Sequence, residues 1–165
     1  MSIPLSSLTT NVNFLSQVNF KLTIQHLDFA NIEFFCTSVN LPSVSIGAVK
    51  RNYMNQEAYF PGDTLAYEAL KVRFMVDENM NNYIEAYRWL ASLSNKNSVS
   101  TKPPERMDII LSVLSTKNTS NRQFQFIDAF PIGISELSFD AQAEGVTYIA
   151  CDMTLRFNYF KVLST

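Results

Sequence analysis

The sequence predicts a mainly β (α+β) fold, an antiparallel β-barrel or sandwich with one α-helix packed against it. Three observations carry that prediction. Apolar and polar residues alternate with a period of two through most of the chain, the mark of strands with one buried face. Only the stretch after Val76 changes to three- and four-residue spacing, the mark of an amphipathic helix. At 47% apolar and 13% aromatic residues, the 165-residue chain has enough bulk for one packed core and is expected to be a single domain.

The alternation begins after residues 1–13, which read as a flexible arm. Val18, Phe20, Leu22 and Ile24 point one way; Asn19, Lys21, Thr23 and Gln25 point the other. An apolar, strand-like run follows from Ile32 to Asn40, and Pro42, which has no amide hydrogen to give, ends its pairing. Residues 43–63 are of a different kind. Ser43 to Ile46 can extend, Ala48 to Tyr59 has no clear period, and Pro61, Gly62 and Asp63 read as a turn. A projecting hairpin or long loop is expected there, and such loops are usually functional.

Leu70, Val72, Phe74 and Val76 make the next strand. The helix is expected from Glu78 to about Ser94, with Asp77 as its cap and Glu78 favouring its positive start. Met80, Tyr83, Ile84, Tyr87, Leu90 and Ala91 form its apolar stripe, with Trp89 and Leu93 beside it. A polar loop from Asn95 to Pro104 follows. Strands are then expected around Met107 to Val113, Gln123 to Phe126 and Pro131 to Phe139, the last with a bulge between Ile134 and Leu137, and a hairpin at Ala143, Glu144 and Gly145. The final run, Val146 to Val162, puts Ile149, Cys151, Met153, Leu155, Phe157 and Tyr159 on one face. Its length of about 56 Å exceeds one small sheet, so it should bend or reach beyond its own subunit. The total is about eight strands and one helix.

Composition bounds the function. Charged residues are only 17%, against roughly 25% in an average domain. A free monomer normally carries more charge, so some apolar surface should be covered by a partner, first of all another copy of the chain. The net charge of −2, from 13 basic and 15 acidic residues, offers no basic field for gripping nucleic acid. Cys36 and Cys151 are too few for a disulfide framework and lack metal-site spacing; both read as buried free thiols of a protein made in a reducing cytoplasm. The first residues show no secretory signal, and no apolar stretch is long enough to span a membrane.

Little in the sequence points to catalysis. With one histidine, His26, a histidine triad or multi-histidine metal site is nearly excluded. Neither cysteine stands at a helix start, where a thiolate would be favoured. Glu136 and Asp140 lie four apart, but opposition across a cleft cannot be read from spacing. Neither phosphate-cradling glycine motif occurs. No catalytic, cofactor or metal site is expected.

Several short motifs, taken in order, resemble the tail tube proteins of contractile-tailed bacteriophages. They are the strand end from Cys36 to Pro42 (CTSVNLP), the turn Pro61-Gly62-Asp63, and the run Leu70 to Glu78 (LKVRFMVDE) leading into a helix with Tyr87 and Trp89. Phe130-Pro131, the run Ile134 to Asp140 (ISELSFD) and the ending Phe157 to Phe160 (FNYF) complete the set. The resemblance spans roughly residues 14 to 162. It implies a structural virion protein rather than an enzyme. Six copies would form a ring whose strands make a continuous barrel around a channel, and rings would stack into a tube that conducts double-stranded DNA. Sheath and baseplate or initiator proteins would be its partners, the virion tail its location and the host cytoplasm its place of synthesis. The loop at 43–63 would reach the neighbouring ring, with Lys50, Arg51, Tyr53, Asn55 and Tyr59 as contacts. Lys21, Lys71, Arg73, Asp152 and Arg156 would line the channel or lie between subunits. A short tube initiator and the tube of a phage-derived injection device remain alternatives within the resemblance. A monomeric ligand-binding β-barrel is the alternative of another class.

Overall fold

In the computed structural model the described residues are 15–25, 30–54, 56–94, 106–115, 118–140, 142 and 148–164. They form β1 (Phe20–Ile24), α1 (Ala30–Phe34), β2 (Cys36–Asn40), β3 (Val44–Tyr53), β4 (Gln56–Tyr67), β5 (Leu70–Met75) and α2 (Asn81–Ser94). After α2 come β6 (Met107–Leu114), β7 (Ser120–Ile134), β8 (Ala150–Arg156) and β9 (Tyr159–Ser164). The arm at 1–13, His26, Asn55, the loop at 95–104 and the hairpin at 143–145 lie outside the described residues.

Seven strands make one antiparallel sheet in the order β1-β6-β7-β8-β5-β2, with β9 also paired to β7; β3 and β4 form a ribbon of their own. β7 organises the sheet. Its first half lies between β6 and β9, and its second half pairs β8. The period-two pattern explains the core directly. Leu70, Val72 and Phe74 of β5, Cys151, Met153 and Leu155 of β8, and Ile109 and Leu111 of β6 all turn inward, where Phe126, Ala86 and Trp89 join them. Each large side chain so buried stabilises the fold by about 1.5–3 kcal/mol.

Several local expectations are corrected. The run from Ile32 is helical up to Phe34 and extended only from Cys36, because a short apolar run does not reveal its period. Ile32 is buried under this short helix while Phe34 is exposed. Pro61, Gly62 and Asp63 are not a turn but part of β4; the ribbon turns at Met54, whose φ is 40°. Gly62 is required there because the ribbon's register shifts between Ile46 and Ala48, bringing the Gly47 carbonyl oxygen to 2.8 Å from where a Cβ on Gly62 would stand. Pro61 is tolerated because β4 is an edge strand of a two-stranded ribbon.

The helix begins at Asn81, three residues later than expected, after a turn through Met80 at φ 56°. Its buried side chains are Asn82, Ala86 and Trp89, while Ile84 and Tyr87 of the expected stripe are exposed, so the helix is rotated relative to that stripe. The late bulge falls between Pro131 and Gly133, and residues 135–140 are not a strand. The thiols are free, with Cys151 buried and Cys36 half-buried.

The last run breaks at Phe157 and Asn158 instead of running as one strand. Asn158 donates its amide to the Ile127 carbonyl (3.1 Å) and its side chain to Asp128 (2.8 Å), which holds the bend. The break changes parity, so Phe160 packs inward and Tyr159 outward. It also makes the sheet fork. β5 and β8 pair up to Leu70 opposite Leu155; beyond that, β9 stays with β7 while β4 leaves with β3. Tyr67, Phe157 and Phe160 fill the base of the fork, with ring centroids 5.5 and 5.7 Å from Tyr67.

Candidate functional site

Two surfaces carry the residues singled out from sequence. The first is the β3–β4 ribbon, which contacts little besides itself. Its register sets Lys50 opposite Tyr59 and Asn52 opposite Glu57. Lys50 forms an ion pair with Glu57, whose other oxygen accepts from the Tyr59 hydroxyl at 3.1 Å. Arg51 lies over the Phe60 ring, 5.8 Å from its centroid. Tyr53 closes the ribbon opposite Gln56. Four of the five expected contact residues thus sit on one projecting element; the fifth, Asn55, is outside the described residues.

Sequence reasoning missed the ribbon's apolar character. Ile46, Val49, Phe60 and Leu65 are each about half exposed, as is Val44 at its base. The signal was there, in two alternating runs flanking Gly47 and Gly62, but the register shift breaks the period. A two-stranded ribbon alone is marginal in water, and this one leaves apolar side chains uncovered along its length.

The second surface is the outward face of β2, β5 and β8. The register lays Ser38 and Asn40 beside Arg73 and Lys71, and these beside Asp152 and Thr154. Together these six side chains line a shallow cavity of about 350 Å³. Arg73 and Asp152 make a bidentate pair with both N–O distances 2.7 Å. That hydrogen bonding holds the Asp152 carboxyl below its ordinary range, with the charge of Lys71 adding to it, and raises Arg73 further. Arg156 stands at the end of this face, donating to the Tyr67 carbonyl at 3.1 Å. Lys21 is not part of it; it lies on β1 opposite Ser112.

Asp77 and Glu78 are placed in the turn before α2 rather than at its cap. Asp77 still serves the helix start, accepting from the Asn82 amide and the Asn81 side chain, each at 3.2 Å. The residue that locks this junction, Asn82, was missed because nothing in a polar letter marks burial. Its side chain accepts from the Asp77 and Tyr83 amides and donates to the Met75 carbonyl at 2.7 Å.

The sheet also leaves edges. Among the described residues, β1 pairs only β6, β2 only β5, and β9 only β7. A groove of about 640 Å³ separates β1 from β2, lined by Val18, Phe20, Val39 and Leu41 among others. Such edges with apolar flanks are templates for pairing with another chain. Among the described residues, no helix is long and apolar enough to cross a membrane.

The antiparallel sheet, the helix packed on it and the projecting ribbon define a mainly β structural fold. The profile of the phage tail tube protein family matches residues 2–163, and the chain belongs to that family. It is therefore a structural component of the phage tail. It is 27% identical over 159 residues to the tail tube terminator protein of Enterobacteria phage T4, covering 91% of this chain and 89% of that protein. Its fold is similar to the tube-terminating cap of the anti-feeding prophage, with TM-score 0.67, 16% identity and coverage of 99% and 100%. It is also similar to a chain of the sheath–tube complex of an extracellular contractile injection system, with TM-score 0.66, 15% identity and the same coverage.

Proposed function

We propose that copies of this chain close into a ring that ends the inner tube of a contractile tail, with six copies per ring as the resemblance implies. The observation that carries the ring is the forked sheet. The ribbon leaves the body with Ile46, Val49, Phe60 and Leu65 half exposed, and the edge strands β1, β2 and β9 each have a strand neighbour on one side only among the described residues. A neighbouring copy that takes up the ribbon and an edge covers both, and repeating that contact head to tail closes a ring. Lys50, Arg51, Tyr53 and Tyr59 then act as contact residues on the ribbon, with Asn55, outside the described residues, as the fifth contact of the proposal. The terminal position is supported by the T4 terminator, to which nine-tenths of the chain is similar. Sheath and tube subunits are the protein partners, and double-stranded DNA is the cargo that crosses the ring. The repeating tube subunit is the second reading, favoured by the family itself.

The test is assembly. Purified protein examined by light scattering and electron microscopy is expected to show six-membered rings with a central hole. Added in small proportion to growing tubes, it should stop their elongation. A chain that stays monomeric at every concentration, with and without tube subunits, overturns the ring. Incorporation along the whole length of the tubes replaces the terminal reading with the repeating one. The double variant Val49→Asp, Phe60→Asp should lose rings while keeping its circular dichroism and unfolding midpoint.

A further inference from the structure

The residues that precede β1 and the groove between β1 and β2 have matching chemistry. Residues 1–20 carry no charged side chain; Lys21 is the first. Within 1–14, Ile3, Leu5, Leu8, Val12 and Phe14 supply apolar bulk, and Val12 and Phe14 alternate with Asn11 and Asn13. A segment that stays free in water is poor in such residues and rich in charge. The described chain delivers this segment to the groove. Leu15 and Ser16 line it, and the chain turns at Gln17 and Val18 directly before β1. Leu15 is 71% and Val18 80% exposed, so apolar side chains stand uncovered at this end of the groove.

We infer that residues 10–14 run back along the open edge of β1 as an added strand, with the Val12 and Phe14 side chains in the groove. Backbone parity favours it. The Leu114 amide donates to the Asn19 carbonyl and the Gln25 amide to the Asp108 carbonyl, both at 3.0 Å, so the odd-numbered residues of β1 bond to β6. Phe20, Leu22 and Ile24 therefore aim their amides and carbonyls away from β6. The Ile24 amide is met by the Glu33 carboxylate of α1, which closes that end of the edge. Phe20 and Leu22 are left with no strand neighbour on that side among the described residues. A strand laid there removes an edge that would otherwise invite other chains. Five extended residues span about 17 Å, the length of β1 itself. The ribbon of a second copy is the competing apolar occupant, but it carries Lys50, Arg51 and Glu57 and must arrive from solution. A segment tethered at Leu15 is present at an effective concentration on the order of millimolar. The added strand belongs to the single subunit and does not depend on the ring; it leaves β2 and β9 as the edges open to a neighbouring copy.

Amide exchange of the full chain, read residue by residue by NMR where light scattering shows a monomer, tests the strand. Lys21 and Thr23 bond to β6 in any case and serve as internal references. Phe20 and Leu22 should exchange within about ten-fold of them. The variant Val12→Asp, Phe14→Asp should speed exchange at Phe20 and Leu22 by about ten-fold or more and leave Lys21 and Thr23 unchanged. A nitroxide on Asn13→Cys tells the chain's own segment from a neighbour's; burial raises both native thiols, so the new one is labelled first. It should broaden the Phe20 and Leu22 signals of its own chain. In a mixture of spin-labelled chains with isotope-enriched unlabelled ones it should leave those signals sharp. Fast exchange at Phe20 and Leu22 in the parent, or protection that appears only when copies assemble, overturns the strand. So does a double variant that exchanges like the parent, or broadening confined to the mixture. If the double variant does not fold, the parent's exchange and the nitroxide decide. A parent that forms no ring counts against the proposed ring and leaves this strand standing.

Discussion

The junction between β5 and α2 depends on Asn82, and its removal gives a worked test of the local structure. The side chain is fully buried and satisfies three main-chain groups, the Met75 carbonyl and the Asp77 and Tyr83 amides. Asn82→Ala strands these groups. Each unsatisfied buried group costs about 1–3 kcal/mol, and water reaches the exposed rim of the helix start, so a loss of roughly 2–4 kcal/mol is expected. For a chain of this size that lowers the thermal midpoint by about 5–15 °C. Asn82→Asp keeps the shape but turns an acceptor oxygen toward the Met75 carbonyl in place of the donor. At neutral pH a buried carboxylate so placed should cost about 3 kcal/mol, which moves its titration to near pH 6 from the ordinary value of about 3.9. An acid whose folded pKa is raised is least harmful below its unfolded value, where the protonated group can donate to the carbonyl. The penalty then grows as pH rises and levels off above the folded pKa. Urea unfolding of parent and variant, compared at matched pH, reads the difference. A loss under about 0.5 kcal/mol for Asn82→Ala, within the range of ordinary surface changes, refutes the reasoning. So does a penalty for Asn82→Asp that ignores pH.

Three further outcomes are expected. The Asp152 carboxyl, held low by Arg73, should titrate below the ordinary value of about 3.9 by NMR and return toward it in Arg73→Gln. Its small contribution to stability is present above that ordinary value and lost as pH falls through the folded one; an unchanged titration in the variant removes the pair's role. Burial pushes the Cys36 thiol up to about 11, so at pH 8 its alkylation should be about 100-fold slower than that of an ordinary thiol. A rate equal to that of free cysteine contradicts the burial. Gly62→Ala should disturb ribbon and rings because its Cβ would stand 2.8 Å from a backbone oxygen, whereas Gly47→Ala meets nothing within 4 Å and should assemble. Equal assembly by both would show that the close approach is not needed.

What the sequence made legible follows from what each signal measures. The alternation of Leu70, Val72 and Phe74, and of Cys151, Met153 and Leu155, reports a strand with one wet face, and those strands stand as expected. The helix at Asn81–Ser94 was legible in type but not in phase. Asn82 is buried by hydrogen bonding and Trp89 by bulk, and neither effect enters a count of apolar spacing. Pro61-Gly62 looked like a corner because the same two residues serve a turn and a close backbone approach. Only the position of Gly47 across the ribbon decides between them. Lys71, Arg73 and Asp152 could be picked out as polar residues on alternating faces. Their convergence depends on β5 pairing with β8 across a long separation in sequence, which no local pattern contains.

The distribution of polar and apolar surface also bears on the proposed assembling subunit and its alternative, a monomeric ligand-binding barrel. Such a barrel keeps its polar residues outside and an apolar cavity within. Here the interior is filled by Phe74, Phe126, Met153 and Trp89, all fully buried and contiguous in one core. Concavities among the described residues lie on the outside: a polar one between β2, β5 and β8, an apolar one between the edges β1 and β2, and one beside the end of α2 lined by Leu90, Phe130 and Ile132. The exposed large apolar side chains are not spread evenly over the surface. Apolar side chains stand exposed where Ile46, Val49, Phe60 and Leu65 leave the body, interleaved with Lys50, Arg51 and Glu57, whereas Lys71, Arg73 and Asp152 meet on strands with no exposed large apolar side chain among the described residues. A freely diffusing monomer gains nothing from that segregation and is exposed to aggregation by it. In the proposed ring, neighbours that take up the ribbon and an edge strand cover those apolar side chains.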